Sequence, residues 1–95
     1  MTVSTHVLDT EAGEPVGGMK VGLFSGKEML SLWETNEDGR VPELFEGEPG
    51  EYRLVFFSES GFFEKIELTL GLWEDRHYHV PLLISPYACS TYRGT

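Results

Sequence analysis

A single cysteine is the whole thiol complement of this chain, so no intrachain disulfide can staple it. Cys89 standing alone suits a reducing compartment better than an oxidising one. Cations are scarce too: seven Lys and Arg face 16 Asp and Glu, for a formal net charge of −9. That balance speaks against nucleic acid, whose affinity depends on neutralising phosphates, and equally against an anionic membrane surface. No apolar run approaches the length that spans a bilayer. The opening Met1-Thr2-Val3-Ser4-Thr5-His6 lacks the basic and apolar regions of a signal peptide, and the ending Arg93-Gly94-Thr95 is not the Ser-Lys-Leu peroxisomal address. The cytoplasm is therefore the expected location. No Cys and His cluster offers a closed four-ligand metal site. A G-x-S-x-G elbow, a P-loop and a dinucleotide fingerprint are all missing. Neither metal nor cofactor is expected.

What is present is a chain of 95 residues, 40% of them hydrophobic, that reads as one domain over 1–95. A domain this short buries only a modest share of its surface. With disulfides and metals set aside, oligomerisation is the remaining source of added stability.

Short runs of period two, punctuated by Gly, Pro and Asp turns, predict about eight strands and no amphipathic helix. The first covers Val3–Asp9, with Ser4, His6 and Leu8 on one face and Val3, Thr5 and Val7 on the other. Thr10–Gly18 reads as a turn. Met19–Ser25 and Glu28–Thr35 follow, joined at Ser25-Gly26-Lys27 by a tight hairpin connection. Asn36-Glu37-Asp38-Gly39 is a strong turn ahead of Arg40–Phe45. Glu51–Ser58, Glu64–Leu70, Arg76–Ile84 and Ala88–Arg93 complete the set. Inward rows such as Met19, Val21 and Leu23, or Tyr52, Leu54 and Phe56, can be buried by two sheets packed face to face.

Three segments are unusual for plain sandwich strands. Ser4–Asp9 puts His6 on the same face as Leu8. Asp38-Gly39-Arg40 delivers an arginine to the start of a strand. Arg76–Tyr87 puts His77 and His79 on one face, with Pro81 two residues further on. Pro81 removes a ladder donor and is tolerated only at an edge or a bulge. Each feature has an ordinary reading. A lone strand histidine is commonly a surface or hydrogen-bonded residue, and an arginine after Asp-Gly is commonly a solvated turn charge. His77 and His79 could share a metal ion, but two ligands do not complete a site. Cys89 reads as structural or incidental rather than as a thiolate.

Taken together, four segments resemble the 5-hydroxyisourate hydrolases of the transthyretin-like family. Ser4-Thr5-His6-Val7-Leu8-Asp9 resembles the N-terminal histidine motif, and Asp38-Gly39-Arg40 the arginine motif. His77-Tyr78-His79-Val80-Pro81-Leu82-Leu83-Ile84-Ser85-Pro86-Tyr87 is very close to the central signature. Ser90-Thr91-Tyr92-Arg93-Gly94-Thr95 resembles the C-terminal Tyr-Arg-Gly-Ser tetrapeptide with its lead-in.

The resemblance implies an all-β sandwich of two four-stranded sheets, a homotetramer with clefts between dimers, and 5-hydroxyisourate as small-molecule substrate. The reaction it implies is hydrolysis to 2-oxo-4-hydroxy-4-carboxy-5-ureidoimidazoline in urate breakdown. His6, Arg40 and His79 are then the expected catalytic residues: imidazole is the natural base near neutral pH, and guanidinium can hold carbonyls and stabilise an oxyanion. Either histidine could take the first proton. Ser90, Tyr92, Arg93, Gly94 and Thr95 are the expected substrate-binding residues, and Tyr78 should pack away from them. The alternative is a transthyretin-type carrier that binds a small ligand without turnover. Thr95 stands where the family has Ser. Ala88 and Cys89 replace Gly and an aromatic residue, and Phe57–Ile66 is too short for the family's usual helix.

Overall fold

A computed structural model describes residues 1–95. Ten strands are present: β1 (Thr2–Asp9), β2 (Glu14–Pro15), β3 (Lys20–Ser25), β4 (Glu28–Glu34) and β5 (Arg40–Glu46), then β6 (Gly50–Phe57), β7 (Ile66–Leu72), β8 (His77–His79), β9 (Leu82–Ile84) and β10 (Cys89–Thr91). There is no helix, so none is long and apolar enough to cross a membrane.

One sheet runs β4-β3-β6-β7, antiparallel throughout. The other holds six segments in four lateral positions. β1 is its centre. On one side β1 pairs antiparallel with β5 through its first part and with the two-residue β2 through its end. On the other side it pairs in parallel with β8 and then β9, and β10 closes the edge against β9. The expected pair of four-stranded sheets is thus present, with two of the eight positions interrupted.

Alternate side chains along the strands point between the sheets and set the layers. Val3, Thr5 and Val7 of β1 are buried, as are Val21 and Leu23 of β3 and Leu54 and Phe56 of β6. They meet Val41, Leu44, Leu82 and Ile84 in one core between the sheets, and burial of such side chains contributes roughly 1.5–3 kcal/mol each. The polar groups caught inside are hydrogen-bonded, as burial requires. Thr5 Oγ1 donates to the Val80 carbonyl at 2.6 Å, and Thr35 Oγ1 donates to the Val16 carbonyl at 2.6 Å. Trp33, half-exposed on β4, ties the sheets at one edge by donating from Nε1 to the Leu44 carbonyl at 3.0 Å.

Three expectations need correction. The run Arg76–Ile84 is not one strand: it breaks between His79 and Leu82. Pro81 has no N–H to give the ladder, although the register to β1 is unchanged across the gap. Thr10–Gly18 is not all turn, since Glu14 and Pro15 pair with Asp9 and Leu8. The expected strand Glu64–Leu70 is shifted to Ile66–Leu72, and Ala88–Arg93 is shortened to Cys89–Thr91. The short Phe57–Ile66 connection carries no helix, as expected. In it Phe62 packs edge-on against Phe63 at 5.0 Å and against Tyr87 at 6.0 Å between centroids.

Candidate active site on the outer face of the six-segment sheet

His6, Arg40 and His79 are remote in sequence, and strand pairing brings them together. His6 and Arg40 are direct partners across β1 and β5, and such partners hold their Cβ atoms about 4.5–5.5 Å apart on one face. His79 is the partner of Ser4 on the opposite side of β1, one same-face step from His6. All three therefore project from the face opposite the buried Val3, Thr5 and Val7. Arg40 is exposed, while His6 and His79 are partly buried.

Arg40 is delivered by a turn built on Asn36. The Asn36 Oδ1 accepts from the backbone N–H of Asp38 at 2.9 Å and of Arg40 at 3.0 Å. Gly39 completes the turn at φ +75°, and its carbonyl accepts from the Val7 N–H at 2.7 Å. The turn is thereby fastened to β1 one residue beyond His6.

His79 is fixed at its inner nitrogen. Its Nδ1 lies 2.8 Å from Ser4 Oγ. The same hydroxyl lies 2.8 Å from His77 Nε2, and His77 Nδ1 lies 2.6 Å from Thr2 Oγ1. His79 Nε2 makes no hydrogen bond within the protein, the one bond of the ring being at Nδ1. Burial, then the Arg40 guanidinium, then His6 and His77, hold the His79 pKa below its ordinary 6.5. The ring is accordingly more neutral at pH 7 than a free histidine, as a base must be. No group of three or more His, Cys, Asp and Glu is clustered to hold a metal ion.

The C-terminal residues divide between two places. Ser90 pairs with Leu83, which pairs with Leu8, so Ser90 shares the histidine face. Gly94 lies directly against His79, donating its N–H to the His79 carbonyl at 2.7 Å. Tyr92 and Arg93 border a groove of about 570 Å³ that also meets Leu70, Trp73, Tyr78 and Val80. Tyr78 and Val80 are buried core residues of opposite parity to His79, so this groove is not the histidine face. Thr95 is exposed just beyond Gly94. Sequence reasoning missed Ser4 and Thr2 as partners of the histidines. Their parity with His6 was visible, but their pairing with β8 was not.

The model of the HIUase/Transthyretin family matches residues 3–94. The chain belongs to this family. Among its relatives in the HIUase/Transthyretin family, 5-hydroxyisourate hydrolase 2 of Rhizobium meliloti (strain 1021) is 41% identical over 98% of this chain and 95% of the relative. The solved structure of Klebsiella pneumoniae 5-hydroxyisourate hydrolase superposes with a TM-score of 0.89 at 32% identity, covering 100% of both chains. Sea bream transthyretin in complex with thyroxine gives a TM-score of 0.85, covering 100% of this chain and 96% of the other. At 22% identity it shares the fold alone. The transthyretin-like sandwich expected from sequence is the fold of this HIUase/Transthyretin family member.

Gly94 has a physical reason to be glycine in this arrangement. A Cβ there would stand 2.7 Å from His79 Cδ2 and 3.3 Å from both Cγ and the His79 carbonyl oxygen. The imidazole would have to move, while the fold around it could remain. Gly94→Ala is therefore expected to lower kcat about tenfold to a hundredfold, the usual cost of misplacing a reacting group by around 1 Å, with little change in Tm. Stopped-flow turnover beside a thermal melt checks this, and unchanged kcat would mean that Gly94 does not abut the ring.

Proposed function

We propose that the chain is a hydrolase that opens the ring of 5-hydroxyisourate to give 2-oxo-4-hydroxy-4-carboxy-5-ureidoimidazoline. The observation that carries this reading is the meeting of His6, Arg40 and His79 on one sheet face, in a chain 41% identical to a 5-hydroxyisourate hydrolase. His79 Nε2 takes a proton from water, and the oxygen left behind attacks the ring carbonyl. Arg40 stabilises the oxyanion that forms, through charge and paired donors. His6 then supplies a proton to the departing ring nitrogen. The neutral bias of His79 supports its assignment as the base. Ser90 on the histidine face, Gly94 against the His79 ring and Thr95 beside it complete the substrate-binding region in this reading, whereas Tyr92 and Arg93 border the separate groove.

The reading includes a homotetramer whose clefts lie between dimers. The outward, half-exposed placement of Leu8 and Leu83 beside the histidines supports a second copy closing over this face. It also locates the protein in the cytoplasm, which the unpaired Cys89 supports.

The test follows the ultraviolet decay of freshly generated 5-hydroxyisourate. Added protein is expected to accelerate the decay catalytically. Stoichiometric binding without acceleration would favour a carrier, and neither would remove both readings. The pH dependence adds a sign. Because burial and Arg40 depress the His79 pKa, the base stays unprotonated to below 6.5, and the acidic limb of kcat/KM should lie below that value. An acidic limb above 6.5 would contradict the assignment of His79.

A further inference from the structure

We propose that Ser4 and His77 are positioning residues that set the tautomer of the His79 ring and conduct a proton between that ring and solvent. The inference rests on the hydrolase reading and concerns how its base is kept ready.

The parallel register of β1 and β8 builds a continuous file. His79 Nδ1 and Ser4 Oγ are 2.8 Å apart, Ser4 Oγ and His77 Nε2 are 2.8 Å apart, and His77 Nδ1 and Thr2 Oγ1 are 2.6 Å apart. The file is anchored by backbone pairing of Thr2 with His77 and of Ser4 with His79. Ser4 is 7% exposed, so water does not compete freely for its hydroxyl. At the far end His77 is exposed to solvent.

A hydroxyl has one proton, so Ser4 donates to one imidazole and accepts from the other. The two rings are therefore locked in phase. In one phase the His79 Nδ1–H donates to Ser4, Ser4 donates to His77 Nε2, and the His77 Nδ1–H donates to Thr2. This phase leaves the lone pair of His79 Nε2 ready to accept from water. In the opposite phase every bond in the file is reversed and His79 carries its proton at Nε2.

Proton uptake converts the first phase into the second. When Nε2 gains a proton from water, the Nδ1 proton passes to Ser4 Oγ as the Ser4 proton passes to His77 Nε2. His77 then releases its Nδ1 proton to solvent and accepts a hydrogen bond from Thr2. One proton has left the site, and no imidazolium remains at His79 beside Arg40 and His6. The file resets when His79 releases its Nε2 proton and a solvent proton re-enters at His77. That outward path matters because burial and the neighbouring Arg40 both disfavour a charged His79. His77, His6 and Arg40 are the charged or titratable groups acting on it, from β8, β1 and β5.

The experiment records ¹⁵N ring shifts of His79 and steady-state kinetics in the unsubstituted protein and three variants. In the unsubstituted protein His79 is expected to be protonated at Nδ1. Ser4→Ala should release the lock, shift the ring toward the Nε2–H form, and lower kcat about tenfold or more with KM unchanged, as loss of an outer partner does elsewhere. Ser4→Thr, which keeps the hydroxyl, should restore both. His77→Gln can hydrogen-bond but cannot relay a proton, and should lose kcat to a similar degree. An unaltered His79 tautomer in Ser4→Ala overturns the positioning role, and full turnover in His77→Gln overturns the relay. The tautomer is read without substrate. An unsubstituted protein inert toward 5-hydroxyisourate would therefore defeat the hydrolase reading, whereas the ring shifts judge the lock separately.

Discussion

Alanine at position 79 is expected to lower kcat for 5-hydroxyisourate about a thousandfold, within the range that a positioned base supplies. The loss corresponds to roughly 4 kcal/mol of barrier. His79 is the one histidine whose inner nitrogen is held by a buried hydroxyl while its outer nitrogen is left without a protein partner. Burial and the Arg40 guanidinium lower its pKa and so favour the neutral ring.

Arg40→Ala should cost about a hundredfold to a thousandfold by removing the charge that meets the oxyanion. It should also let the acidic limb rise toward 6.5, though not reach it, because burial is the larger cause of the depression. If His6, Arg40 and His79 serve one transition state, their losses will not add. The His6→Ala/His79→Ala double variant should then be little slower than His79→Ala. Retention of more than a tenth of the activity in His79→Ala, with the association state by light scattering unchanged, would remove His79 from the chemistry.

The second large effect concerns the fold at the point where it presents Arg40. Gly39→Ala is expected to destabilise the protein by about 3 kcal/mol. A left-handed φ costs a non-glycine residue about 1–2 kcal/mol, and overpacking adds about 1–3 kcal/mol. Gly39 has φ +75°, and a Cβ there would fall 2.4 Å from the Val7 carbonyl oxygen and 3.0 Å from Pro15 Cβ. The Val7 atom is backbone in the central strand β1, so it cannot swing aside as a side-chain tip would. For a domain this size the loss corresponds to a fall in Tm of roughly 10–20 °C.

Gly13→Ala separates the two causes. Gly13 has φ +71° but nothing within 4 Å of its added Cβ. It should therefore show only the backbone penalty, about 1–2 kcal/mol. Equal melting temperatures for the two variants would mean that the Asn36–Arg40 turn does not press against β1. Because Arg40 follows Gly39 directly, the Gly39 variant should also lose activity below its melting transition.

Burial parity was readable along single strands. Ser4, His6 and Leu8 lie on the face opposite Val3, Thr5 and Val7, and Tyr78 is buried away from His79. Alternation is a local property of the pleat, so a few consecutive residues determine it. The break at Pro81 was half legible. A proline had to sit at an edge or an irregularity, but nothing local showed that β1 would keep its register on both sides of the gap. Gly94 was singled out through its tetrapeptide, whereas its contact with the His79 ring depends on where the chain end turns back. Ser4 was passed over because a serine on a strand carries no signal by itself. It matters only through partners 73 and 75 residues away.

The sequence by itself determined an all-β sandwich, its buried rows, the turn that carries Arg40 and the family to which the motifs point. Each of these is written in neighbouring residues, as alternation, turn chemistry or a short signature. Tertiary structure alone decided that β8 lies parallel to β1 and β5 antiparallel on its other side, which puts two imidazoles and a guanidinium on one surface. It also decided that the Ser4 hydroxyl stands between His77 and His79. Parallel pairing joins the start of the chain to its end through every element between them. Its register is therefore fixed by the packing of the whole core, which no local pattern contains.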